Sequence, residues 1–548
     1  MKFISKNKYI ILTIILLSCL MFYFIGEKQG FHEDEIFSIG SSNYKYDNVY
    51  RPFGYADANQ DVFYKQVLKG NKLHNLLIFI LDNDSFTKDE VLSKEVPIFK
   101  SNNEALEYLT IGKSDIFNYF SVYYNQSIDV HPPLFYFLVH FVSTLFYGTF
   151  SKYIIFSINL LFFIGTLWII NKIMNQLKQE KLSIPTMILY GASIGGISTV
   201  MFQRMYMMLT SFSILYLYLT IKFVQDDFKI KRKLPWIVTI LCGFLTQYYF
   251  CIYIVLVFIL LSVYLIIKKQ YKKLLDYFIV HVIAAVIGVV FYPASIYHIF
   301  FSYRGFGDGG KSAKPILESI AYYLKQIYKL FGFKNLLLVI VIISTILIIK
   351  NKISISKEKI NYLILLIVPI IVYILLVSKI APFLGESYTS RYIMLVLPII
   401  AISIMYLFSF VIKFNITPLI ISIVLVINGL YNETPVYLYK DYKKVMDLAN
   451  IYKNDYFVYV FDNNFTHLSS LPEFATYKAS LIINVNDYDF SLLNNDELNS
   501  SNEFIVCIKN WLNQEEFVNK ILENTKYNKY EKLLELNSDV EATYFKFS

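Results

Sequence analysis

Long apolar runs separated by short lysine clusters make up most of this chain. A helix needs about 20 apolar residues to cross the hydrocarbon, somewhat fewer where lysines snorkel at its ends. Runs of that kind extend from Lys8 to Ile25, Tyr153 to Ile173, Ile184 to Phe202, Met205 to Val224, Pro235 to Phe250 and Ile252 to Ile267. They continue from Tyr277 to Phe300, Leu336 to Ile349, Tyr362 to Val377, Tyr392 to Ile412 and Ile416 to Leu430. The pattern predicts an α-helical polytopic membrane protein with about eleven spans. A polar stretch from Glu27 to Val130 separates the first run from the rest. It is far longer than an ordinary connection and reads as a functional segment with helices of its own. From Tyr431 the chain is polar again, and there the spacing predicts a small α/β unit. Helical periodicity covers Asp441 to Tyr452 and Glu515 to Leu522, and buried strands fit Phe457 to Phe461 and Phe504 to Ile508. Two domains are therefore expected, a transmembrane domain over 1–430 that includes the loop 26–150, and an α/β domain over 431–548.

Charge fixes the expected orientation. The segment His131 to Gly148 is apolar but opens with Pro132-Pro133. If it stays on one side, the lysines at 178 and 181, 229–233, 268–273 and 350–359 all fall in cytoplasmic loops, as the positive-inside rule requires. If it crosses, they all move outside. It is therefore read as an interfacial amphipathic helix with a proline in its first turn. The first run lacks a small-residue cleavage site before the polar Glu27 to Gly30, so it is expected to be a retained anchor with its N-terminus in the cytoplasm. The long first loop, residues 302–332 and the C-terminal domain are then extracytoplasmic.

Composition agrees. With 56% hydrophobic and 17% charged residues and a mean hydropathy of +0.46, the chain is not a soluble enzyme. The net charge of +9 is spread over the loop lysines, so it marks a membrane topology and not a nucleic-acid-binding face. Cys19, Cys242 and Cys251 lie in apolar runs and Cys507 stands alone, which points to neither a disulfide framework nor a cysteine zinc site.

Two constellations carry candidate chemistry. Phe31-His32-Glu33-Asp34-Glu35 places three carboxylates and an imidazole just past the first span. Crowded carboxylates raise one another's pKa, and one near the lipid boundary suits a base that takes a proton from a hydroxyl. A solvated acidic helix end is the plainer alternative. Asp129-Val130-His131-Pro132-Pro133-Leu134 fixes the backbone where the chain re-enters the interface, either to hold His131 at a set depth or merely to start a helix.

These motifs, with Arg204-Met205-Tyr206 opening one span and Arg391-Tyr392 opening a late one, resemble the GT-C superfamily of membrane glycosyltransferases. The similarity is to the protein O-mannosyltransferase and lipid A aminoarabinose transferase branch, and it runs in order from about Phe31 to about Pro398. It implies a GT-C-like fold and transfer of a sugar from a polyprenyl-phosphate donor by inverting displacement. The acceptor, a protein, glycan or lipid, is extracytoplasmic. By position, the family's acidic pair falls on Asp34 as base and Glu35 as its support.

Arg204 and Arg391 are suited to grip a phosphate bidentately, beside Tyr206 and Tyr392, although interfacial arginines and tyrosines also snorkel without a ligand. His131 and Gln247 complete the expected substrate-binding set, Gln247 by hydrogen bonding where related sequences often carry histidine. Glu386 is a less favoured second carboxylate. The resemblance calls for no nucleotide sugar, no redox cofactor and no metal, although three carboxylates are compatible with a divalent ion.

Gly305-Phe306-Gly307-Asp308-Gly309-Gly310-Lys311-Ser312 fits the Walker A spacing, but it follows a span instead of a strand and reads as a Gly-rich connection. The alternative from another functional class is a transporter or flippase of lipid-linked sugars. The size of the outer loop and the scarcity of charge deep in the spans argue against it.

Overall fold

The structure, a computed structural model, describes residues 2–44, 98–300, 316–333, 356–381, 389–410, 416–462 and 466–548. The expected span Leu336 to Ile349, the Gly305–Ser312 motif and Glu386 lie outside the described residues. The fold is mostly helical with one small C-terminal sheet. Among the described residues seven helices are long and apolar enough to cross a bilayer, which makes the chain a helical polytopic membrane protein. They are Asn7–Glu27, Lys152–Gln176, Tyr206–Gln225, Tyr249–Ile267, Tyr271–Phe291, Lys357–Ile380 and Ser390–Phe408. The chain forms two compact units, one of residues Met1–Ile25, Val130–Phe135 and Ile155–Val436, the other of Gly26–Asp129, Tyr136–Ile154 and Tyr437–Ser548.

Within the first unit several expected spans have a different form. The run Ile184 to Phe202 is broken: Glu180–Gly191 and Ile194–Met201 meet at 60°. Ser193 caps the second helix by accepting from the Gly196 amide at 3.0 Å while its hydroxyl donates to the Tyr190 carbonyl at 2.7 Å. A Cβ at position 196 would lie 2.1 Å from that carbonyl oxygen, so glycine is required at the bend. The run Tyr277 to Phe300 also divides, because Pro293 cannot continue the helix Tyr271–Phe291 and a short helix Ala294–Phe300 starts after it.

Leu234–Phe244 and Thr417–Asn432 are apolar but short. Leu134–Leu145, 12 residues long, rises about 18 Å, less than the hydrocarbon thickness, and it begins after both prolines instead of containing one. Within residues 302–332 the sequence reading saw only a loop; Ile316–Leu330 is an amphipathic helix that buries Ser319, Tyr323, Gln326 and Leu330. Its stripe alternates polar and apolar too finely to resemble a span.

Deep in the first unit, Tyr216, Tyr277 and His281 form a closed polar triad. The Tyr216 hydroxyl lies 2.9 Å from both the Tyr277 hydroxyl and His281 Nε2, and His281 Nδ1 lies 2.8 Å from the Tyr277 carbonyl. Each member finds a partner, which is the condition for polar groups among apolar helices.

The second unit contains a six-stranded sheet of order β1-β3-β2-β4-β6-β5. Its strands are β1 (Lys100–Ser101), β2 (Tyr456–Phe461), β3 (Ala479–Asn484), β4 (Phe504–Lys509), β5 (Tyr530–Leu536) and β6 (Ala542–Phe547). β2 pairs parallel with β3 and β4, and the other pairings are antiparallel. β1 comes from the first loop. Residues Gly26–Asp129, assigned to the transmembrane domain on sequence, therefore cluster with the tail: β1 extends the tail's sheet, and the helix Asn102–Leu109 packs on Leu471–Phe474. On one face Val458, Leu481 and Val506 pack under the helix Gln514–Asn524 through Phe517, Val518 and Ile521.

The opposite face is aromatic and ionisable. Tyr459, Tyr477, Tyr544, Cys507 and Glu473 are buried there, and the Tyr544 hydroxyl donates to Glu473 Oε2 at 3.3 Å. Burial raises the Glu473 carboxyl to about 8, against the pull of the Lys509 ammonium. A folded-state value above the unfolded one makes the protonated acid the favoured form. Its contribution to stability is therefore complete at acid pH and is lost as pH rises toward about 8. Hydrogen exchange in β2 and β4 of the full-length protein should accelerate beyond its intrinsic pH dependence between about pH 5 and about pH 9. E473Q, which keeps an acceptor for Tyr544, should flatten that dependence; an identical slope in the variant removes Glu473 as its source.

Candidate functional site

The acidic turn lies in the second unit. His32 is the N-cap of the helix Glu33–Asn43, and its Nδ1 accepts the Asp34 amide at 3.0 Å. Glu35 is the third helical residue and reaches back to accept the His32 amide at 2.8 Å, which completes a capping box. The same carboxylate is fully buried against Lys28, whose Nζ lies 3.1 and 2.9 Å from its two oxygens and also donates to the Tyr437 carbonyl at 2.6 Å. Burial pulls the Lys28 ammonium below its usual range, opposed by the Glu35 charge.

The three adjacent carboxylates are thus separated by environment. Glu35 is enclosed in structure, while the Glu33 and Asp34 side chains keep 35% and 21% of their surface exposed. Asp34 sits in the first turn, where the helix dipole favours a negative charge. It combines partial burial with access, which is what a proton acceptor needs. Glu35 is placed to hold the turn.

The basic residues lie in the first unit. Asn159, in the helix Lys152–Gln176, donates from Nδ2 to the carbonyls of Val200 at 3.0 Å and Phe202 at 2.9 Å. This fixes the turn between Ile194–Met201 and Tyr206–Gln225. Arg204, 2% exposed, projects from that turn with Nη2 3.2 Å from His131 Nε2. The guanidinium can only donate, so the facing Nε2 is the unprotonated nitrogen of a neutral imidazole. The His131 carbonyl accepts the Tyr292 hydroxyl at 3.2 Å, and Leu134 N donates to the Leu245 carbonyl at 3.0 Å. His131 is thereby tied to the ends of two further helices. Tyr206 stacks on Phe202 with ring centroids 5.4 Å apart.

Arg391 sits in the 3-10 segment Thr389–Val396, which packs on the helix Tyr206–Gln225, with Thr210 Oγ1 3.3 Å from the Met394 carbonyl. The packing brings together the two segments that carry Arg204 and Arg391. Arg391 is 5% exposed, and its guanidinium lies over the Tyr392 ring at 5.3 Å. The Tyr249 ring stands 5.0 Å from that of Tyr392, and the Tyr373 hydroxyl holds the Tyr392 carbonyl at 2.7 Å.

Tyr323, 2% exposed and electrostatically coupled to Tyr392, Tyr206 and Arg391, adds a phenol from the amphipathic helix. Burial raises its pKa well above the usual range, so it remains a donor. Gln247 is buried in the turn before Tyr249–Ile267, and its Oε1 accepts the Tyr248 amide at 2.7 Å. Arg204 and Arg391 are thus both buried in the first unit, Arg204 against the His131 imidazole and Arg391 over the Tyr392 ring.

Of the residues expected from sequence, His131, Arg204, Tyr206, Gln247, Arg391 and Tyr392 all lie in the first unit, and Asp34 and Glu35 in the second. Asn159, Tyr292, Tyr323 and Lys28 were not anticipated. Asn159 alone had a signal, as an amide inside an otherwise apolar span. Among the described residues no group of three or more His, Cys, Asp or Glu is placed to hold a metal ion. Compared with protein-family models and with curated proteins, the chain matches none of either.

Replacing Asn159 by leucine takes the side-chain amide donor from the Val200 carbonyl in a buried turn, while the Phe202 carbonyl keeps the Arg204 backbone amide at 2.7 Å. We expect a loss of about 1–3 kcal/mol in the thermal or denaturant stability of the detergent-solubilised protein, the penalty for unsatisfied buried polar groups. An unchanged stability would show that the turn is fixed by other contacts.

Proposed function

We propose that this chain is a GT-C-type glycosyltransferase that moves one sugar from a polyprenyl-phosphate carrier to an acceptor on the extracytoplasmic side of a cell membrane. The observation that carries this reading is the burial of Arg204 and Arg391 at the starts of membrane helices, on segments that pack against each other amid aromatic rings. Charge is costly at that depth and marks a path for charged substrate.

The orientation rests on the positive-inside rule. The lysine clusters lie at the opposite ends of the same helices: Tyr206–Gln225 runs from the Arg204 turn toward Lys229, and Tyr249–Ile267 runs toward Lys268. Their loops also pair with one another, Lys273 with Asp227 at 2.7 Å and Lys178 with Glu358 at 3.7 Å. A lysine-rich cytoplasmic end and an arginine-and-tyrosine outer end follow from the positive-inside rule.

In the proposed reaction the acceptor hydroxyl oxygen attacks the anomeric carbon and forms the new C–O bond. The bond from that carbon to the phosphate oxygen breaks with inversion, and its electron pair leaves on the polyprenyl phosphate. The hydroxyl proton passes to Asp34. Arg204 and Arg391 neutralise the departing phosphate, while His131 orients Arg204 and Tyr392 orients Arg391. Gln247 shapes the outer turn. Glu35 acts through the geometry of the helix that carries Asp34.

The test is release of free polyprenyl phosphate from a polyprenyl-phosphate sugar by the purified protein, with and without a hydroxyl acceptor. D34N should keep the protein inserted and cut turnover by about 10²–10⁴-fold. Full turnover by D34N removes Asp34 as the base. Movement of an intact donor across vesicles without release favours the transporter reading.

A further inference from the structure

Within the second unit the tail from Tyr437 is built around the acidic turn. Lys28, between the first span and the turn, is fully buried and has three partners: both oxygens of Glu35 and the Tyr437 carbonyl. The next residue, Gln29, donates its amide to the Leu438 carbonyl at 2.8 Å. At Gly30 the backbone runs so close to the tail that a Cβ would lie 2.8 Å from the Tyr442 Cβ and 2.9 Å from the Tyr439 Cβ. The His32 ring meets the Tyr437 ring edge to face at 6.1 Å. Further along, the helix Glu33–Asn43 packs on the tail segment Thr466–Ser470.

These contacts differ in kind. The hydrogen bonds at Lys28 and Gln29 fix the backbone that enters the turn, the glycine fixes its distance from the tail, and the capping box carries both to the first helical turn. A buried lysine with a buried carboxylate is a poor source of stability, because removing either charge from water costs about as much as the pairing returns. Its attested use is to specify one arrangement among several. Here it joins the N-terminal cap of the acidic helix to the first residues of the C-terminal domain.

We infer that the C-terminal α/β domain is a brace for the acidic helix, and that Lys28, with the close approach at Gly30, is the positioning device that holds Asp34 in its working orientation. The catalytic half of this inference rests on the assignment of Asp34 as the base. Lys28 touches no substrate in this account; it acts through Glu35 and the His32 cap. The domain is therefore a part of the catalytic apparatus supplied from the far end of the chain, and not an independent binding module.

The experiment uses the full-length protein in lipid nanodiscs with four variants: K28M, K28R, the apolar pair K28M/E35L, and G30A. Amide hydrogen exchange over residues 33–43 is measured beside steady-state transfer. In K28M and G30A, protection of that helix should fall by roughly tenfold or more while the membrane helices stay protected. In the same variants kcat should drop about tenfold or more with the donor KM nearly unchanged, since the proposed phosphate ligands Arg204 and Arg391 are left intact. K28R should recover part of both. The apolar pair removes the buried charges together but also the Glu35 acceptor of the His32 amide, so it should melt between K28M and wild type and still turn over slowly.

Unchanged protection of 33–43 in both K28M and G30A overturns the brace. Lost protection with normal kcat overturns the positioning role. A wild-type protein that transfers no sugar from any polyprenyl-phosphate donor overturns the base assignment and this inference together, and that case is recognised because it appears before any variant is compared.

Discussion

Charge buried where the hydrocarbon ends is the constraint from which most of this structure follows. A guanidinium or ammonium taken out of water must find acceptors, counter-charges or ring faces arranged around it, and those groups must come from somewhere in the fold. Arg204 finds the neutral imidazole of His131, whose backbone carbonyl accepts the Tyr292 hydroxyl. Arg391 finds the face of Tyr392, backed by Tyr249 and Tyr373. Lys28 finds Glu35 and a tail carbonyl. Each charge therefore recruits several elements, and the irregular turns at the helix ends are the places where that recruitment happens.

This explains why regularity stops where it does. The bend at Ser193, the pinned turn before Tyr206, the tight turn at Gln247 and the 3-10 segment around Arg391 all interrupt helices that would otherwise run on. An uninterrupted apolar helix presents only side chains to its neighbours. An interrupted one also exposes backbone carbonyls and amides, which are satisfied by Asn159, Ser193 and Gln247. Membrane proteins tolerate such backbone where it is enclosed by protein. Enclosure also strengthens the electrostatic grip on any anion admitted there.

Much of this was legible in the chain. Hydropathy located the long helices, as where the run Ile252 to Ile267 lies within the helix Tyr249–Ile267. Arg204 and Arg391 stood out in the sequence by their position at span edges, and both are buried. What escaped was whatever depends on partners distant in sequence. Glu35 and Asp34 are neighbours with the same chemistry, and nothing local says that Lys28 would enclose one and leave the other accessible. β1 is two residues long and acquires its identity only by pairing with Ser480 and Ala479. β5 and β6 were missed because β5 is an exposed edge studded with Glu531, Lys532 and Glu535, which masks its alternation. The amphipathic helix Ile316–Leu330 was missed because its buried stripe is made of serine, tyrosine and glutamine as much as of leucine.

The central claim is that the two buried guanidinium groups receive a lipid-borne phosphate. Titration of the protein in nanodiscs with a polyprenyl monophosphate, with inorganic phosphate as a parallel arm, addresses it without requiring the sugar or the acceptor to be known. The account requires saturable binding of the prenyl phosphate, weakened about 10- to 100-fold in R204Q and in R391Q, the worth of one hydrogen bond to a charged group. Equal affinity in wild type and both variants, or no binding of the lipid at all, would contradict it.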